Sequence, residues 1–156
     1  MSIQKFYFEV RDVKDIGLDK KYDQVWLFDV LEHVDDPRSL LAKIKPHLRG
    51  DITISVPTDD YVKVFGEEFD KSIGHQRHYD ISDLEALLNS LGYEVIAKER
   101  YTQGLARRCC IFWTKYVRGH GARTLLLFPI LNLLSFEDKP GSNSYCSILV
   151  KARVKT

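Results

Sequence analysis

A chain of 156 residues, 44% hydrophobic and 29% charged, is long enough for one globular domain with a buried core. Its formal net charge of +1 gives no general attraction for nucleic acid, so any charge-driven binding has to be local. The longest apolar run, Leu125 to Leu134, contains Pro129 and Asn132 and is too short to span a bilayer; the N-terminal "MSIQKFYFEVRD" lacks the pattern of a signal peptide, and the expected location is the cytoplasm.

In chain order, Lys5 to Val10 is aromatic and β-branched and is predicted to be a strand. Tyr22 to Val30 is predicted to be a second strand, with an apolar run from Val25 to Phe28 that suits a strand covered on both faces. Asp36 followed by Pro37 is a helix start; Leu40, Leu41, Ile44 and Leu48 form an apolar stripe, and the helix is expected to end near Gly50. "DITISVP" then alternates Ile52, Ile54 and Val56 as a strand that Pro57 stops. Strand, helix, strand implies a right-handed crossover.

Ser82 to Glu85, "SDLE", reads as a capping box before a helix with Leu84, Leu87, Leu88 and Leu91 at helical spacing and Gly92 at its end. "YEVIAKERY" is predicted to be another strand. "YCSILVKARV" places Cys146, Ile148, Val150, Ala152 and Val154 on one face of a final strand. Between them, residues 100–136 contain no acidic residue and carry Arg100, Arg107, Arg108, Lys115, Arg118 and Arg123. A helix from Leu105 to Arg118 would put its cations on one side and Leu105, Cys109, Phe112, Trp113 and Tyr116 on the other, with an apolar stretch following. The three cysteines, two of them adjacent, suit neither a disulfide framework nor a zinc site and read as reduced, buried thiols. There is no internal repeat or linker, so residues 1–156 form one α/β domain with a basic, then apolar, helical insertion at 100–136.

Three stretches, "YDQVWLFDVLEHVDDPRSLLAKIKPHLR", "GDITISVP" and "GHQRHYDISDLEALLNSLGYEV", occur in the order of the later part of class I S-adenosylmethionine-dependent methyltransferases, and the chain resembles that family, especially its ubiquinone-biosynthesis-like branch. The resemblance covers Tyr22 to Val95. It implies a Rossmann-like methyltransferase fold with a mixed sheet and an antiparallel last strand, and S-adenosylmethionine as cofactor. It further implies that Asp12 reaches the adenine amino group with Val13 beside the ring. Phe28, Asp29 and Val30 would line the methionine part of the cofactor, with His33 facing the same cleft. Each has an alternative: Asp12 as a turn cap, Asp29 and Glu32 as surface carboxylates near a helix start, His33 as a structural residue. The "GHQRHY" loop gathers His75, Arg77, His78 and Tyr79, either as a catalytic group around a proton acceptor or as a hydrogen-bonded staple.

The glycine-rich turn and ribose-binding acid that open this family are not found ahead of Phe28, where Gly17 is the single glycine. The expectation is therefore an incomplete fold, lacking the first two strands and first helix, that binds S-adenosylmethionine weakly or not at all. Either Lys5 to Val10 moves over and pairs directly with the central strand in a rearranged sheet, or a second copy of the chain or a separate N-terminal half covers the bare sheet edges. The acceptor class is a small or lipid-like molecule. The alternative function is a non-catalytic module that docks on a partner chain or an anionic membrane through its basic stretch; nucleic acid is not an expected partner.

Overall fold

The computed structural model describes residues 20–103 and 145–155 without interruption, together with residues 10, 12–15, 17, 18, 108, 109, 111–113 and 116. The strand expected at Lys5 to Val10 and most of the insertion at 100–136 lie outside the described residues. The elements are β1 (Tyr22–Phe28), α1 (Pro37–Ile44), β2 (Leu48–Pro57), α2 (Asp59–Phe65), α3 (Glu67–Ser72), α4 (Ile81–Ser90), β3 (Tyr93–Gln103) and β4 (Tyr145–Val154). The strands form one sheet in the order β1-β2-β4-β3. β1 and β2 run parallel, joined through α1, and β4 is antiparallel to both β2 and β3. This is the mixed sheet, with its last strand antiparallel, of a Rossmann-like methyltransferase fold.

One face of the sheet is the core. Leu27, Ile52, Ile54, Val56, Ile148, Val150 and Ala152 meet Leu40, Leu41 and Ile44 of α1 and Leu84 and Leu88 of α4. Ile52, Ile54, Val56, Ile148 and Val150 are fully buried, and each such side chain contributes about 1.5–3 kcal/mol relative to exposure. Tyr93 is buried among them and donates its hydroxyl to the Leu41 carbonyl at 2.8 Å, tying β3 to α1. At the start of the β1–β2 pair the register slips, and the backbones approach so closely that a Cβ on Gly50 would lie 2.1 Å from the Asp23 carbonyl oxygen.

The structure corrects several sequence expectations. β1 is covered on one face only among the described residues: Leu27 points into the core, whereas Trp26 and Phe28 are 63% and 53% exposed. Helix α1 starts as expected, with the Asp36 carboxylate accepting from the Ser39 amide at 3.1 Å, but it stops at Ile44. Pro46 cannot continue the ladder, a tight turn follows, and Leu48 already belongs to β2. The "SDLE" box does not cap α4. The helix begins two residues earlier, after Asp80, so Ser82 lies inside it and Glu85 instead holds Lys98 at 2.7 Å. Residues 59–72, left without secondary structure by the sequence reading, form α2 and α3, hinged at Gly66 with φ +87°. In the insertion Cys109 is buried, as is Cys146, while Phe112 and Tyr116 are exposed rather than turned to the core.

Candidate active site

β1 delivers the chain to the site and an unusual backbone turns it there. Asp29 follows the strand with φ +51°, a left-handed conformation that costs a non-glycine residue about 1–2 kcal/mol. Ser55 on the neighbouring strand holds it in place. The Asp29 amide donates to the Ser55 carbonyl at 3.1 Å and reaches its Oγ at 3.2 Å, while the Ser55 hydroxyl donates to Asp29 Oδ1 at 2.8 Å. The turn sends the next residues across the carboxyl ends of β1 and β2 as one helical turn, Leu31–His33. Leu31 anchors it in the core.

Beside this turn lies an open cleft of about 370 Å³, lined by Asp12, Val13, Asp29, Val30, His33 and Val34. Five of the six residues expected to bind the cofactor therefore meet in one place, although Asp12 and Val13 come from a separate tight turn far ahead in the chain. Phe28, the sixth, does not line it. The lining combines two carboxylates, Asp12 and Asp29, and one imidazole with three apolar side chains, Val13, Val30 and Val34.

A second hollow of about 200 Å³ adjoins the first through Asp29 and His33, and is completed by Glu32, Pro57, Tyr61, Ile73, His75 and Ser147. His75 in its lining belongs to a hydrogen-bonded cluster with Asp70 and His78. The His75 Nδ1 lies 2.7 Å from Asp70 Oδ1, and the His78 Nε2 lies 3.0 Å from the same oxygen. An ionised Asp70 accepts from both rings, which fixes the proton of His75 on Nδ1 and leaves its Nε2 as a proton acceptor. That Nε2 faces Glu32 Oε1 at 4.0 Å. The ring is also boxed by His33 and Tyr61, with centroids 4.9 and 5.2 Å away.

Arg77 and Tyr79 are directed elsewhere. The Arg77 guanidinium donates to the carbonyls of Leu31, Val34 and Asp35, and Gln76 donates to the His33 carbonyl and the Asp35 carboxylate. These bonds clamp the "GHQRHY" loop onto the turn after β1. Tyr79 packs in the core, its amide on the Pro57 carbonyl at 3.0 Å, and burial pushes its hydroxyl up in pKa. His33 donates Nδ1 to the Gly74 carbonyl at 3.0 Å, where a left-handed glycine, φ +84°, turns the chain back toward the site.

Three participants escaped the sequence reading. Glu32, read there as a surface carboxylate, is fully buried, and neither carboxyl oxygen has a hydrogen-bond partner. Removal from water raises its pKa to about 7, with Asp29 adding to the rise and its own backbone amide, His33 and His78 opposing it. Asp70 sits on α3, an element the sequence reading had not assigned. Tyr101 of β3 brings its hydroxyl to the Ser55 and Ser147 side chains, near Asp29 and Glu32, and burial raises its pKa. No local signal marks Tyr101, because only the sheet order carries β3 there. The donor atoms of Glu32, His33 and His75, and those of Asp70, His75 and His78, lie within 4.8 Å of one another. Neither group is assigned an ion, since in the second both imidazoles already share Asp70.

Comparison with known proteins follows the same lines. A family model described as a methyltransferase domain matches residues 3–98, more than half of the 156-residue chain. A comparison with curated proteins gave no match. Among solved structures, the 4+2 cyclase SpnF superposes with a TM-score of 0.60 at 14% identity, over 96% of this chain and 57% of that one. An S-adenosylmethionine-dependent methyltransferase from Mesorhizobium loti gives 0.57 at 14%, over 93% and 68%, and one from Clostridium acetobutylicum gives 0.55 at 10%, over 95% and 64%. The chain thus spans about half to two-thirds of the length of the structures it resembles. At these identities the likeness establishes the fold, and with the family model matching over half of its residues the chain belongs to the methyltransferase-domain family.

Proposed function

We propose that this chain is the acceptor-side portion of an S-adenosylmethionine-dependent methyltransferase, in which the cleft beyond β1 takes part of the cofactor and the hollow next to it takes the acceptor. The observation that carries this reading is the convergence of Asp12, Val13, Asp29, Val30 and His33 on a single cleft. In open α/β sheets, ligands sit beyond the carboxyl ends of the parallel strands, where this cleft lies. Asp12 and Val13 suit the adenine end, and Asp29, Val30 and His33 the methionine end. The bound cofactor supplies a methyl group already activated on a sulfonium, so the protein has mainly to align the acceptor and remove its proton. His75, oriented by Asp70, is the base of this reading, with His78 sharing the same carboxylate and Arg77 holding the loop. Tyr79 supports that loop from the core.

A glycine-rich turn absent ahead of Phe28 removes hydrogen bonds that contribute about 1.5–3 kcal/mol each to a charged ligand. Two such losses weaken binding by at least about a hundredfold. The second wall would then come from polypeptide outside these 156 residues, whether of the same protein, a separate N-terminal half or a second copy of this chain. Among the described residues β1 has a neighbour on one side only, and its other side is where a further strand would pair. Isothermal titration with S-adenosylhomocysteine tests the reading: weak heat for this chain, and strong heat once a polypeptide bearing the glycine-rich turn is added. Tight binding by the chain alone removes the need for a second wall, and no binding in either case removes the cofactor assignment.

A second reading, a membrane- or partner-docking module, draws on the exposed pair Phe112 and Tyr116, with ring centroids 5.2 Å apart near exposed Arg108. Among the described residues no helix is long and apolar enough to cross a membrane. Co-sedimentation with anionic vesicles that is abolished by salt and by R108E would favour it; salt-independent sedimentation, or none, would exclude it.

A further inference from the structure

Among the described residues, the buried side-chain polar atoms left without a hydrogen-bond partner are the two Glu32 oxygens and the Tyr79 hydroxyl, and Glu32 alone of the two is a carboxyl. It is fully enclosed, yet both of its oxygens lack a hydrogen-bond partner, and it lines the acceptor hollow beside His75. A buried carboxyl of this kind is costly in either protonation state. The titratable groups around it are Asp29 at the end of β1, His33 on its own turn, His75, His78 and Tyr79 on the loop after α3, and Tyr101 on β3. One of them, His75, presents its lone-pair nitrogen, Nε2, at 4.0 Å. That gap is closed by one bridging water or a small rotation of the ring.

We propose that Glu32 is a positioning residue that shares a proton with His75, so that the imidazole carries one carboxylate on each nitrogen: Asp70 on Nδ1 and Glu32 on Nε2. The inference rests on the methyltransferase reading for its use, but not for its existence. With Glu32 ionised, the imidazolium that forms on proton capture is held between two carboxylates, and His75 becomes a stronger base. During transfer to a hydroxyl acceptor, the acceptor oxygen forms its bond to the methyl carbon as the sulfur–methyl bond breaks and the electron pair returns to sulfur. The hydroxyl proton moves to His75 Nε2 and from there to a Glu32 oxygen, which restores the neutral ring. The proton leaves to solvent when the hollow empties. With Glu32 protonated the route is closed, so transfer to a protonated acceptor depends on ionisation of this one carboxyl.

The test needs no acceptor and no cofactor. Imidazole ring carbons of the labelled whole chain are followed by NMR from pH 4 to pH 9 in the wild type, E32Q and D70N. In the wild type His75 is expected to titrate in two steps, the mark of two coupled groups. In E32Q it is expected to titrate in one step with its proton affinity lowered at least about tenfold, since a charge at this distance is worth one pH unit or more in a partly buried site. His47, whose Nδ1 bonds the Lys20 carbonyl outside this cluster, serves as the internal control and is expected to be unchanged in both variants. A His75 curve identical in wild type and E32Q overturns the proposal. Should E32Q not fold, the reciprocal measurement is made on the Glu32 carboxyl carbon in the wild type and H75Q, where an unchanged midpoint overturns it in the same way. Coupling observed here together with failure to bind S-adenosylhomocysteine would leave the proton pair standing and remove the methyl-transfer reading alone.

Discussion

Replacing Glu32 with glutamine keeps the shape of the side chain and removes its titration, and the consequence for stability can be worked out in sign and size. The carboxyl is fully buried, and its pKa rises from an ordinary 4.5 to about 7, chiefly because burial disfavours the charged form. The folded chain therefore holds this proton more tightly than the unfolded chain does. Its contribution to stability is fully present below 4.5 and is lost as pH rises through about 7. The interval from 4.5 to about 7 corresponds to about 3 kcal/mol. Urea unfolding of wild type and E32Q at pH 5 and pH 8 measures it directly. The wild type is expected to lose about 3 kcal/mol relative to E32Q between the two pH values, with unchanged dependence on urea. A wild type and variant that differ by the same amount at both pH values would show that Glu32 is ionised, or solvated, throughout, and would refute the burial argument.

Four further outcomes follow from the same geometry. R77A removes donors to three carbonyls of the turn after β1, and is expected to cost about 2–4 kcal/mol in chemical unfolding, most of it not recovered by R77K. At Asp29, where φ is +51°, D29A should destabilise more than D29G by about 1 kcal/mol in thermal unfolding, because glycine relieves the backbone while both lose the Ser55 bond. Y93F leaves the Leu41 carbonyl without its hydroxyl donor inside the core and should cost about 1–2 kcal/mol by urea unfolding. G50A places a methyl group against the Asp23 backbone, at 2.1 Å from its carbonyl oxygen, and should lower the melting temperature by several degrees as the strands part.

The fold was legible where local pattern and global structure agree. Ile52, Ile54 and Val56 alternate and face the core, and Asp36 with Pro37 starts a helix because cap and first turn both use local chemistry. Legibility failed where one pattern had two readings. "SDLE" satisfies the capping-box spacing, yet Asp80 two residues earlier is equally able to begin a helix, and the backbone starts there. Short helices such as α2 and α3 carry too few turns to show a period, which is why Asp70 escaped notice. At the site, the convergence of Asp29, Val30 and His33 on one cleft was legible because they follow one strand end, whereas Asp12 and Val13 join them from a separate turn and Phe28 does not line it. Glu32 was not, because a carboxylate in a polar-looking loop gives no local sign that Leu31 beside it will drag the turn into the core. Ser147 lines the hollow, and Tyr101 meets it there, only through the antiparallel insertion of β4 between β2 and β3, a feature of sheet order with no sequence spacing of its own.

The proposal that the cleft beyond β1 takes the cofactor is tested most directly by an amide NMR titration of the isotope-labelled chain with S-adenosylhomocysteine, which registers weak binding as readily as strong. Saturable shifts concentrated at Asp12, Val13, Asp29, Val30 and His33, with a much smaller response on α4, are the expected result. Shifts that spread without saturation, or that centre away from the end of β1, would contradict it.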